Sequence, residues 1–113
     1  MALATNQALS TVTPLREVYL DERKILSPFD KRECIILKQA ADIAGKSEST
    51  IRGWCEVHGL GRRVGGGTWS VSKVALAMFL DGDIKALKAY HVGDRASELV
   101  LSYFRQAGMI FAS

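Results

Sequence analysis

The sequence predicts a mainly helical domain with one β-hairpin set between its second and third helices, followed by a C-terminal helical extension. Three observations lead there. Apolar residues recur at helical spacing in two short segments that meet at Gly45 to Ser47. A triple glycine, Gly65-Gly66-Gly67, is flanked by Arg62-Arg63-Val64 and Thr68-Trp69-Ser70-Val71, two runs short enough for a hairpin. Ser72 then precedes a largely apolar stretch, Lys73 to Leu80, as a cap would.

The elements follow in order. Residues 1–30 read as an N-terminal arm, in which Leu15 to Leu26 is a strand or a poor helix and Ser27-Pro28 is a break. Residues 31–82 form the central unit. Its first helix carries Ile36, Leu37, Ala40, Ala41, Ile43 and Ala44, and Gly45 stands at its C-cap. Ser47 or Ser49 caps the second helix, which runs to Glu56 with Ile51, Trp54 and Cys55 as its apolar stripe and Val57 also turned to the core. Gly59 and Gly61 end it, the hairpin follows, and Asp81-Gly82-Asp83 closes the third helix. Residues 83–113 are the extension. Ile84, Leu87 and Tyr90 give one or two helical turns. Ala96, Leu99, Val100, Tyr103, Phe104 and Ala107 then make an amphipathic helix from Asp94 to Ala107.

The chain has 113 residues with 48% hydrophobic and 24% charged side chains, the size and composition of one globular domain. That excludes the large barrel and dinucleotide-binding folds. The first ten residues lack a basic region and a long apolar run, so no signal peptide is expected. No stretch is apolar for long enough to span a bilayer, and two cysteines make no disulfide framework. A reduced, cytoplasmic setting without a membrane partner is the expectation. The net charge is +3, and its distribution is uneven. Residues 1–45 and 74–113 are each balanced, so the whole excess lies in 46–73, where five basic residues face two acidic ones. A local basic excess is the footprint of a phosphate-facing surface.

Helix, tight turn, helix, hairpin, helix is the order of a winged helix-turn-helix. In that geometry the N-terminal end of the second helix meets base edges in the major groove, and the glycine-rich wing approaches the backbone or minor groove. The candidate DNA-binding residues are therefore Lys46, Ser47, Ser49, Thr50 and Arg52 on the helix, Arg62, Arg63 and Thr68 on the wing, and Lys73. Of these, Ser49, Thr50 and Arg52 are the expected base readers, and the Arg62-Arg63 pair the backbone or minor-groove clamp.

Leu37-Lys38-Gln39-Ala40-Ala41-Asp42-Ile43-Ala44-Gly45-Lys46-Ser47-Glu48-Ser49-Thr50-Ile51-Arg52-Gly53-Trp54 resembles the opening of MerR-like and phage excisionase-like winged helix-turn-helix domains. Gly61-Arg62-Arg63, Gly66 to Leu76 and Phe79-Leu80 resemble their wing and following helix. The resemblance covers about residues 35–82 and implies DNA binding by the second helix and the wing. The chain departs from it in placing Gly53 inside the recognition helix, where glycine costs about 1 kcal/mol against alanine. It also lacks the long heptad helix of true MerR regulators, so the excisionase-like branch fits better.

Other constellations are weaker. Ala40-x4-Gly45-Lys46-Ser47 matches a relaxed phosphate-loop pattern, with Cys34 to Leu37 as its strand, yet Lys38 to Ala44 are good helix formers and not a flexible cradle. Cys55-x-x-His58 is half a metal site, with Cys34 and His91 too distant in sequence to complete it, so no metal or other cofactor is expected. Trp54 and Trp69 read as core and wing-base anchors. No catalytic group is apparent. The expected function is sequence-specific binding of double-stranded DNA, as a small transcription regulator or recombination-accessory factor and not as an enzyme. A DNA-packaging recognition subunit of phage type and a protein-interaction adaptor are the alternatives. Leu99, Val100, Tyr103 and Phe104 suggest a homodimer seam, with cooperative protomers on DNA or a fold-back onto the core as the other outcomes.

Overall fold

A computed structural model of the chain describes residues 22–63 and 65–109. In chain order these form β1 (Cys34–Ile35), α1 (Leu37–Ala44), α2 (Glu48–His58), β2 (Gly61–Arg63), β3 (Trp69–Ser72), α3 (Lys73–Leu80), α4 (Ile84–His91) and α5 (Glu98–Gln106). The architecture is mainly helical, with a small antiparallel sheet in the order β1-β3-β2.

Local chemistry sets most of the boundaries. Gly45 adopts a φ of 69° and returns its N–H to the Ala41 carbonyl at 2.8 Å, so α1 ends in a left-handed turn that lets α2 start at once. Ala40 and Ala41 are buried, and their small side chains let α2 cross closely. Ser47, not Ser49, caps α2, and the helix runs on to His58 before Gly59 closes it. In the hairpin Arg63 faces Trp69 and Gly61 faces Val71. A Cβ on Gly61 would come within 2.5 Å of the Ser70 carbonyl oxygen and 2.9 Å of Cys55 Sγ, so glycine lets β2 lie against both β3 and α2.

Several expectations need correction. Val57 is 70% exposed, because the inward edge of α2 is taken by Ile51 and, one turn on, by Cys55 of the expected stripe. Ile36 and Ile43 are exposed as well, and Ile36 precedes α1. The final helix starts at Glu98, four residues later than its apolar pattern suggests. Asp94 Oδ1 accepts from the N–H groups of Ala96 and Ser97, both at 2.9 Å, and this side-chain turn displaces the helical alternative. Residues 22–26 are neither strand nor helix, and the rest of Leu15 to Leu26 lies outside the described residues. The tail end of the expected arm is not loose, since Ile25 and Leu26 belong to the core. Strand β1, only two residues long, carries too little pattern to be read from sequence.

The apolar stripe offered as a dimer seam is used within the chain. Val100, Tyr103 and Phe104 are buried, and Leu99 packs against the same core as Val74, Leu76 and Met78 of α3. The Tyr103 hydroxyl lies 2.9 Å from Asp81 Oδ2 and 3.0 Å from Asp83 Oδ2, fastening α5 to the α3–α4 turn. Burial and these two carboxylates push the Tyr103 phenol up.

At the centre lies a buried polar cluster. Glu33 is 1% exposed, and its Oε2 accepts from the hydroxyls of Ser72, at 2.5 Å, and Tyr90. The Tyr90 oxygen in turn accepts from the Leu26 N–H at 2.8 Å, and Ser72 Oγ from the Ala75 N–H at 3.0 Å. Leu26, fully buried, has a φ of 55°, a strained backbone held by this bond and the surrounding core. Burial and the adjacent Glu33 carboxylate push the Tyr90 phenol up. Tyr90→Phe removes a donor to a buried carboxylate and leaves the Leu26 N–H without its acceptor. Chemical denaturation should show a loss of about 1–3 kcal/mol with an unchanged slope. A loss below about 0.5 kcal/mol would mean that the cluster carries little of the stability.

Candidate nucleic-acid interface

Helix α2 presents one buried edge, Ile51 and Cys55, and one outward face on which Ser49, Gly53 and Val57 follow at four-residue spacing. Lys46, Ser49 and Arg52 are exposed at its N-terminal end. Ser47 and Thr50 have other partners. Ser47 Oγ accepts from the Thr50 N–H at 3.1 Å, and the two hydroxyls lie 3.0 Å apart. Both side chains thus close the first turn of α2, with Ser47 exposed and Thr50, one of the expected readers, half-buried. Glu48, absent from that set, is exposed in the same turn, where the helix dipole favours a carboxylate.

The hairpin meets this end of α2. Thr68 and Trp69 line a groove together with Leu37 and Lys38 of α1 and Glu48 of α2. The Trp69 indole N–H is buried and donates to no described residue. Successive strand residues point to opposite faces, and the two arginines of β2 follow that rule. Arg62 reaches the Leu26 carbonyl at 3.4 Å, whereas Arg63 lies over the Trp69 ring, 5.5 Å from its centroid. The expected Arg62-Arg63 clamp is therefore two separately anchored guanidiniums. Lys73 stands apart from both: it is half-buried at the start of α3, at the end of β3 opposite the hairpin tip, with its N–H bonded to the Glu33 carbonyl.

Arg23 completes the support and carried no sequence signal. Its guanidinium donates to the Val57 carbonyl at 3.1 Å and the Glu56 carbonyl at 3.2 Å, the acceptors that the last turn of α2 leaves open. With Arg62, Arg63 and Glu56 it lines a second, basic groove. Cys55 sits at the base of that groove, its thiol pushed up to about 11, chiefly by burial. His58 lies against Phe79, with ring centroids 4.7 Å apart. Among the described residues no three His, Cys, Asp or Glu side chains come together to hold a metal. Of the relaxed phosphate-loop pattern, Ala40 to Ala44 lie within α1 and Gly45 is its C-cap. Among the described residues no helix is long and apolar enough to cross a membrane.

No protein family, curated protein or solved structure significantly matches the chain.

The division between capping and exposed serines is directly measurable. Ser47→Ala should lower stability by about 1 kcal/mol in denaturant titrations. Ser49→Ala, with no partner to lose, should stay within about 0.5 kcal/mol of the parent. The reverse order would move the cap to Ser49.

Proposed function

We propose that the chain is a winged helix-turn-helix protein that binds double-stranded DNA, with α1 and α2 as the helix pair and the β2–β3 hairpin as the wing. The observation that carries this reading is the shared surface of the hairpin and the first turn of α2, where Thr68 and Glu48 line one groove beside exposed Lys46, Ser49 and Arg52. On this reading Ser49 and Arg52 contact base edges, because a guanidinium matches the two acceptors of guanine and a hydroxyl suits either a donor or an acceptor. Glu48 accepts from cytosine amines in the same way. Lys46 and Arg63 hold phosphates, and Arg63 arrives pre-ordered over Trp69. Adjacent protomers on the duplex, and not an α5 seam, supply any cooperativity.

Gly53 supports the same reading from another direction. A Cβ there would meet nothing within 4 Å, so no neighbour in the chain requires glycine, although glycine weakens a helix interior. A bare backbone at the middle of the outward face suits close approach of a partner. Regulation of transcription and assistance to recombination both begin with such binding.

Titration of a labelled duplex at several salt concentrations tests the electrostatic part. The logarithm of affinity should fall with that of salt by about 0.9 per phosphate held. Failure to bind any duplex at low salt would favour an adaptor role and overturn the reading. Arg52→Ala should cost about 1–3 kcal/mol on the preferred site and relax selectivity at one or two positions. Arg63→Ala should weaken all sequences alike and flatten the salt slope by about one unit. Gly53→Ala should raise thermal stability, by up to about 1 kcal/mol, while weakening duplex binding severalfold. A stabilised variant that binds as well as the parent would remove Gly53 from the interface.

A further inference from the structure

A half-open pocket of about 140 Å³ lies away from α2 and the hairpin, between residues 28–30, Glu33, Arg95, Phe104 of α5 and Met109. Its size is that of a single six-membered ring, since an apolar cavity of about 150 Å³ holds benzene. Phe29, Phe104 and Met109 supply apolar walls, and Phe29 keeps 56% of its surface exposed. Glu33 also lines the pocket. Its Oε2 is taken by Ser72 and Tyr90, whereas Oε1 accepts from none of the described residues. A carboxylate oxygen with no donor among the described residues is an unusual wall for a largely apolar space, and it specifies what complements it.

The other charged groups at the pocket are already paired or engaged. Asp30 adds a second carboxylate, bound to Arg32 at 2.7 Å. Arg95 is already committed. It lies over the Tyr90 ring, 3.9 Å from the centroid, and donates to the carbonyls of Tyr90, Asp94 and Lys24. Asp30 is compensated by Arg32 and the Arg95 guanidinium is held by three carbonyls, so Glu33 is the lining carboxylate without an ion pair among the described residues. Aromatic walls add attraction for a cation at the ring faces.

We propose that this pocket binds a small cationic aromatic amine, with the ring between Phe29, Phe104 and Met109 and the ammonium on Glu33 Oε1. The inference is independent of DNA binding. Because Glu33 also holds Ser72 at the start of α3 and Tyr90 of α4, an occupant engages the residue that joins the sheet to the C-terminal helices.

The test is a titration of the full chain followed by amide chemical shifts in NMR, with benzylamine, benzyl alcohol and benzoate as probes. Benzylamine should shift residues 28–33 and 104–109 with a dissociation constant of about 1 mM or tighter, as its eight heavy atoms allow. Benzoate should bind at least about tenfold more weakly, with benzyl alcohol between them. Glu33→Gln should remove the preference for benzylamine over benzyl alcohol. Since that variant touches the buried cluster, Phe29→Ala on the exposed wall serves beside it, and should weaken benzylamine at least about threefold in a fully folded chain. No shift up to about 10 mM benzylamine, equal binding of benzoate, shifts confined to other residues, or an unchanged affinity in Phe29→Ala would each overturn the proposal.

Discussion

A carboxylate taken out of water costs several kcal/mol unless donors replace its hydration, and Glu33 meets that demand at Oε2 with two hydroxyls from distant parts of the chain. Its main chain takes part as well. The Glu33 N–H bonds to the Asp30 carbonyl at 2.9 Å, and its carbonyl accepts from Lys73 at 3.0 Å. One residue thereby sets the approach of β1 to β3, the start of α3 and the lean of α4. The hairpin inherits its direction from this arrangement, because β3 is the central strand and its Ser72 end is the one that Glu33 holds.

The surface around α2 is built on that fixed base by contacts that leave few adjustable parts. Gly61 brings β2 against Cys55, Arg23 closes the last turn of α2, and Ser47 closes the first. Arg63 is ordered over Trp69 before any partner arrives. In the proposed complex a guanidinium already held in place would lose less freedom on binding than a free one. The exposed residues that remain, Lys46, Ser49 and Arg52, project from a helix held at both ends.

Much of this was legible in the residues, and the exceptions share a cause. Gly45, the Ala40-Ala41 pair, the triple glycine and the Ser72 cap act over a few residues, so spacing alone reveals them. Glu33 is different. In the sequence it is one acidic residue among several, and only the convergence of Ser72 and Tyr90, 39 and 57 positions away, makes it the centre of the core. Val57 fits a helical pattern read loosely, but Ile51, Cys55 and, in part, Trp54 are the residues of α2 that meet the core. Asp94 ends in a turn because its carboxylate finds two amides that a helix would have used. The functional candidates divided for the same reason: Ser47, Thr50, Arg62 and Lys73 acquired partners within the chain that no local pattern announces.

The burial of α5 has a consequence for how freely the chain can be divided. Val100, Tyr103 and Phe104 share one core with Val71 of the hairpin and Ile51 of α2, and Ile25 and Leu26 enter the same core from the other end of the described chain. The segment from α1 to α3 is therefore not a portable module. Transplanted alone into another protein it would expose the faces of Val74 and Met78 that the later helices cover, and it would leave Glu33 without Tyr90. Domain shuffling, natural or engineered, has to carry Ile25 to Met109 as one inheritance, and variation at Ile25, Leu26 or Met109 is answerable to the same core as variation at Ile51 of α2.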